Sequence, residues 1–82
     1  MDYQLFLAWL KNDKRMGIRS AHDVVSRLKR VVNMLDADGI DETTVSKIED
    51  SSEFTDCSMF IKSQLRRSIK LYLEFCVSKV CN

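Results

Sequence analysis

Proline is absent from this chain, and glycine occurs only at Gly17 and Gly39 in 82 residues. A backbone so short of breakers is constrained toward helices. A many-stranded sheet needs a turn every few residues, and the glycines and prolines that punctuate such turns are scarce. The length allows one domain, residues 1–82, and no more. The chain is 45% hydrophobic and 30% charged, which is the balance of a folded globule rather than a disordered segment. A domain of this size buries only about 60–65% of the surface its unfolded form exposes. That leaves little room for a deep cavity, so no small-molecule substrate is expected.

The apolar residues recur at helical spacing in four places, which predicts an all-α fold of four helices. Residues 3–12 form the first, through Leu5, Phe6, Trp9 and Leu10. The polar stretch Asn12–Arg19 follows, with Gly17 expected as a helix stop. Ser20 is expected to cap the second helix, with Asp23 three residues on. Val24, Leu28, Val31 and Leu35 fall at i, i+4, i+7 and i+11, flanked by Val25 and Val32. This places Ser26, Lys29, Arg30 and Asn33 on the far side. A short third helix runs from Asp41 or Glu42 to Asp50, burying Val45 and Ile48; it needs its neighbours to persist. Residues 51–56 read as a loop anchored by Phe54. The fourth helix runs from about Ser58 to Val77 or beyond, capped by Asp56 or Ser58. Its stripe is Ile61, Leu65, Ile69, Tyr72 and Cys76, with a second apolar line of Phe60, Leu71 and Phe75. Helices so unequal, joined by short connections, predict a compact orthogonal bundle rather than a regular up-down one.

Several function classes are disfavoured. No apolar run reaches the roughly 18 residues needed to span a bilayer. The opening residues lack the charged start and small-residue cleavage site of a signal peptide, so a cytoplasmic location is expected. Cys57, Cys76 and Cys81 are an odd set without metal-ligand spacing, and His22 is the only histidine, which argues against zinc and for reduced thiols. His22, at the start of the second helix, is expected as a neutral surface residue. Asp36-Ala37-Asp38-Gly39 opens like a calcium loop, but Lys47 stands twelfth, where the bidentate Glu is required. There is no phosphate-binding glycine loop, nucleophile elbow or zinc-protease motif. No catalytic residue, metal or cofactor is assigned, and no enzyme activity is expected.

Charge is the informative pattern. The formal net charge is only +1, but residues 36–56 hold eight carboxylates and one lysine, while 57–82 hold five cations and one carboxylate. Arg27, Lys29 and Arg30 project from the second helix, and Lys62, Arg66, Arg67 and Lys70 from the fourth. Interspersed with Ser26, Asn33, Ser63 and Gln64, they are residue types that contact phosphates and base edges. With the carboxylates gathered elsewhere in sequence, the basic field is expected to stand uncancelled. This pattern points to duplex DNA as a partner. The alternative is a protein-interaction or dimerisation module using Phe60, Leu71 and Phe75, if those side chains are exposed.

At these helices the chain resembles a known family. Residues 20–35 (SAHDVVSRLKRVVNML) resemble the second helix of the core-binding, SAM-like domain of tyrosine recombinases, the phage integrases. Residues 61–75 (IKSQLRRSIKLYLEF) look like that family's final helix, and Phe6-Leu-Ala-Trp-Leu10 is similar to its first. The resemblance covers nearly the whole chain through helix spacing and a few polar positions, not an invariant motif. It implies a bundle of four to five helices that forms half of a clamp on duplex DNA, with its second and fourth helices facing the DNA. The family's catalytic set of arginines, histidines and a nucleophilic tyrosine has no counterpart here. Tyr72 lies on the apolar stripe, and neither it nor Tyr3 has an arginine cage. The resemblance therefore implies an excised domain or a stand-alone relative that holds DNA without cutting it.

Overall fold

The computed structural model of the chain describes residues 3–37 and 39–80. Cys81 and Asp38, considered above as a thiol and a calcium-loop residue, lie outside them. All regular secondary structure among the described residues is helical, with no strand among them. The elements are α1 (Tyr3–Asn12), α2 (Ile18–Leu35), α3 (Thr44–Glu49), α4 (Ser52–Thr55) and α5 (Met59–Val80). The expected fourth helix is thus α5. The expected loop at 51–56 contains a helical turn of four residues, α4, which seats Phe54 in the core at 2% exposure.

α1 spans the expected residues 3–12, but Gly17 does not have the expected role. Gly17 does not stop α1. It lies in extended conformation ahead of α2, and its carbonyl accepts the Ala21 N–H. The helix therefore starts at Ile18, and Ser20 sits inside the first turn instead of capping it. The left-handed backbone positions fall on Arg15 (φ 54°) and Asp36 (φ 48°), and neither glycine has positive φ. Asp36 closes α2: its N–H bonds the Asn33 carbonyl at 3.3 Å, and the Ala37 N–H bonds the Val32 carbonyl at 3.1 Å. These are the paired bonds of a Schellman motif, in which aspartate is one of the few side chains that tolerates the left-handed site.

Ahead of α3, Asp41 forms a hydrogen-bonded turn with Thr43 and Thr44. The Asp41 carboxylate accepts the Thr43 N–H at 2.8 Å and the Thr43 hydroxyl at 2.6 Å, while the Asp41 N–H donates to Thr44 Oγ1 at 2.9 Å. The Thr43 hydroxyl and then its N–H hold the Asp41 carboxyl below its ordinary pKa. This bonding lets so short a helix persist.

Two buried clusters make one core. The first joins Phe6 and Leu10 of α1, Ala21, Val24, Val25 and Leu28 of α2, and Phe75 of α5. The second joins Val31 of α2, Ile48 of α3, Phe54 of α4, and Leu65 and Ile69 of α5. Ile40 packs against both. The first half of α2 thus meets the last part of α5 and its second half meets the first part, so the two helices run antiparallel. Their contact is the most extensive in the molecule. At 1.5 Å per residue α5 is about 33 Å long, which sets the 36 Å long axis.

Most of the predicted stripes are buried as expected. Leu65 and Ile69 are fully buried, while Ile61, Tyr72 and Cys76 are half-buried along the same line. Val45 is only half-buried, and Thr44 takes its place beside Ile48 in the interior. No helix among the described residues is long and apolar enough to cross a membrane.

Candidate nucleic-acid interface

The seven basic candidates fall into three settings. Arg67 and Lys70 stand on the outer face of α5. At 100° per residue, Phe60, Ser63, Arg67, Lys70 and Glu74 share an arc of about 80° centred opposite the buried stripe, and all five are exposed. Arg67 and Lys70 have no hydrogen-bond, ion-pair or ring partner among the described residues. Glu74, at the far end of the ridge, pairs with Lys14 from the α1–α2 connection. Lys14 also lies 5.6 Å from the Trp9 ring centroid. A cation outside the candidate set therefore neutralises the ridge's one carboxylate.

The second setting is the corner around α4, where cations from α2 and α5 converge. Lys62 Nζ lies 5.7 Å and the Arg66 guanidinium carbon 5.2 Å from the centroid of the Phe54 ring. Both are within cation–π range. Arg66 Nε also donates to Glu49 Oε1 at 3.1 Å. One turn beyond Phe54, the Arg30 guanidinium donates to Cys57 Sγ at 3.8 Å, and the Cys57 thiol donates to the Glu53 carbonyl at 3.3 Å. The half-buried Cys57 is thus a link between α2 and α4.

The third setting is the flank of α2. Lys29 Nζ sits 5.0 Å from the centroid of the Tyr3 ring in α1. Arg27 is half-buried and has no partner among the described residues.

One expectation changes. The second and fourth predicted helices pack through their buried sides, and cations from both reach the α4 corner. The basic field does not stand wholly uncancelled. The acidic segment folds onto the flank of α5 through α3, and Glu49 captures Arg66. Contact between segments decides this, and segment charges summed along the sequence do not contain it.

The apolar strip proposed for the fourth helix is also divided. Phe75 is buried at 8% exposure, where its ring centroid lies 5.5 Å from that of Phe6 and 5.6 Å from that of Trp9. Leu71 packs half-buried against the same cluster. Only Phe60 faces outward, at 66% exposure.

Away from the basic residues, an open cleft of about 650 Å³ runs between the end of α2 and α3, lined by Leu35, Asp36, Ala37, Gly39, Ile40, Asp41 and Lys47. The Asp41 carboxylate is occupied there with the N–H and hydroxyl of Thr43. Among the described residues no cluster of three or more histidine, cysteine or carboxylate side chains is placed to hold a metal. His22 is exposed on α2, as expected.

Compared with protein-family models, curated proteins and solved structures, the chain matches none. The likeness to the recombinase domain therefore rests on the residues of α1, α2 and α5 quoted above.

Proposed function

We propose that this chain is a DNA-contacting module, similar in build to the core-binding domain of tyrosine recombinases, with α1, α2, α3 and α5 as the four helices of a SAM-like orthogonal bundle. Its principal contact is the outer face of α5. The observation that carries this reading is the state of Arg67 and Lys70: both are exposed, adjacent on one ridge, and unpaired by any carboxylate among the described residues. Ser63 lies on the same ridge as a hydrogen-bond donor for phosphate. Lys62 and Arg66 flank it, held on Phe54 and available to a phosphate at little cost, because an exposed pair such as Arg66–Glu49 contributes at most about 1 kcal/mol. Arg30, Arg27 and Lys29 of α2 lie off this ridge and serve as secondary contacts to a duplex that curves around the α4 corner.

Binding is mostly to phosphate, in the micromolar range of non-specific contacts. With about four phosphates engaged, affinity falls about a hundredfold between 50 and 200 mM salt. Titration of labelled duplex DNA at those two salt concentrations tests this. Arg67→Ala with Lys70→Ala lowers affinity at least tenfold and reduces the salt slope by about two, with the helical spectrum unchanged. Wild-type protein that binds no duplex at low salt, or a double variant that binds as the wild type does, removes the reading.

A further inference from the structure

The α5 ridge carries one feature that phosphate contact does not use. Phe60 is 66% exposed in the first turn of the helix, beside Met59 at 75%. Its ring has no aromatic or cation partner among the described residues. It lies one, two and three turns from Ser63, Arg67 and Lys70 on the same arc. An exposed aromatic on a soluble helix costs solubility and contributes nothing to the core, and here it shares a face with two free cations. This combination fits a polyanion whose units also have an apolar flat face. A chain of nucleotides is such a partner.

Resting on the DNA-contacting reading, we infer that the α5 ridge prefers DNA with unpaired bases, in a gap or single strand, where Phe60 stacks on one base while Arg67 and Lys70 hold the following phosphates. The span fits. Phe60 to Lys70 is ten residues, about 15 Å along the helix, or about four nucleotides at the rise of a stacked strand. That matches the smallest footprints of single-strand binding surfaces. A fully paired duplex hides its base faces, and one phenylalanine on one helix does not recover the cost of prising a step apart. A strand already unpaired offers the same stacking with no such cost. The sequence tolerance of stacking also suits a ridge with little capacity for base-edge readout.

The test compares three labelled probes at fixed salt by anisotropy: a paired duplex, the same duplex with a short single-stranded gap, and the single strand. Wild type binds the gapped and single-stranded probes about tenfold more tightly than the duplex. Phe60→Leu loses that preference while keeping duplex affinity, and Phe60→Trp keeps it. The exposed position leaves folding intact in both variants, which circular dichroism verifies. Equal binding to all three probes, or a preference that survives Phe60→Leu, overturns the inference and leaves duplex binding standing. Failure to bind any probe removes the DNA reading as well. A wild-type dimer that Phe60→Leu converts to a monomer in sedimentation, with probe preference unchanged, assigns the ring to a second copy of the chain and also overturns the inference.

Discussion

The outer ridge of α5 and the corner around α4 carry the same kinds of cation within a few residues of each other. On the ridge, Arg67 and Lys70 face solvent without partners among the described residues. At the corner, Lys62 and Arg66 lie over Phe54, Arg66 is tied to Glu49, and Arg30 reaches Cys57. One residue of helix, 100° of rotation, separates Arg66 from Arg67. A basic run on a helix is therefore two surfaces. One is committed to holding the acidic α3–α4 segment against the bundle. The other has no structural role that the fold reveals. Function is more economically sought in the second, because altering it does not disturb packing.

The contrast depends on Phe54, so its removal is the harshest way to break it. Phe54→Ala deletes a ring that is 2% exposed and closes the second cluster with Ile48, Leu65 and Ile69. A loss of about 3–5 kcal/mol is expected, a large share of the stability of a domain this small. Chemical denaturation measures it. Phe54→Leu refills most of the volume and isolates the cation–π part, about 0.5–1 kcal/mol for each cation. A leucine variant as unstable as the alanine variant would mean that the aromatic ring itself, and not the volume it fills, dominates at this corner.

That distinction marks how far the sequence could be read. The helical periods of α1, α2 and α5 were legible because their buried faces repeat every three or four residues: Leu28, Val31, Leu65 and Ile69 are all fully buried. Phe54 was legible as an anchor because it is the lone aromatic in a polar stretch. The α4 turn was not, since four residues are too few to show a period. The end of α1 at Asn12 was legible, but the left-handed positions at Arg15 and Asp36 were not, because no glycine marks them. For the candidate site, residue type and helix face could be read, and this is why Lys29, Arg30, Arg67 and Lys70 are exposed as expected. The Arg66–Glu49 and Lys14–Glu74 pairs join residues 17 and 60 positions apart. No local pattern encodes them, although the excess of carboxylates in residues 36–56 is itself a signal that some must find cations.

Freeing a corner cation sharpens the comparison in the opposite direction. Glu49→Gln removes the carboxylate that Arg66 Nε contacts at 3.1 Å, while keeping the shape of the side chain. Arg66 then reaches phosphate without giving up an ion pair. Duplex affinity is expected to rise by up to about fivefold at low salt, with the salt slope little changed. Stability changes by less than about 1 kcal/mol, because the pair is exposed. Unchanged affinity would show that the corner lies outside the footprint.

The smallest effect comes from a carboxylate that belongs to the acidic segment but touches none of these cations. Asp36 ends α2 in the left-handed conformation, at φ 48° and ψ 45°. Asp36→Gly removes a negative charge and relaxes the backbone together. Glycine occupies that region without the Cβ clash, so stability should rise by up to about 1 kcal/mol. The added freedom of the unfolded chain takes back part of the gain. If cation capture acts by contact, DNA affinity stays within about twofold, because Asp36 makes no ion pair among the described residues. If the whole acidic segment instead acts as a field, Asp36→Gly raises affinity as Glu49→Gln does, and the excess disappears as salt is added. Thermal denaturation and the duplex titration of this one variant therefore separate two ways in which the same eight carboxylates can restrain a basic helix.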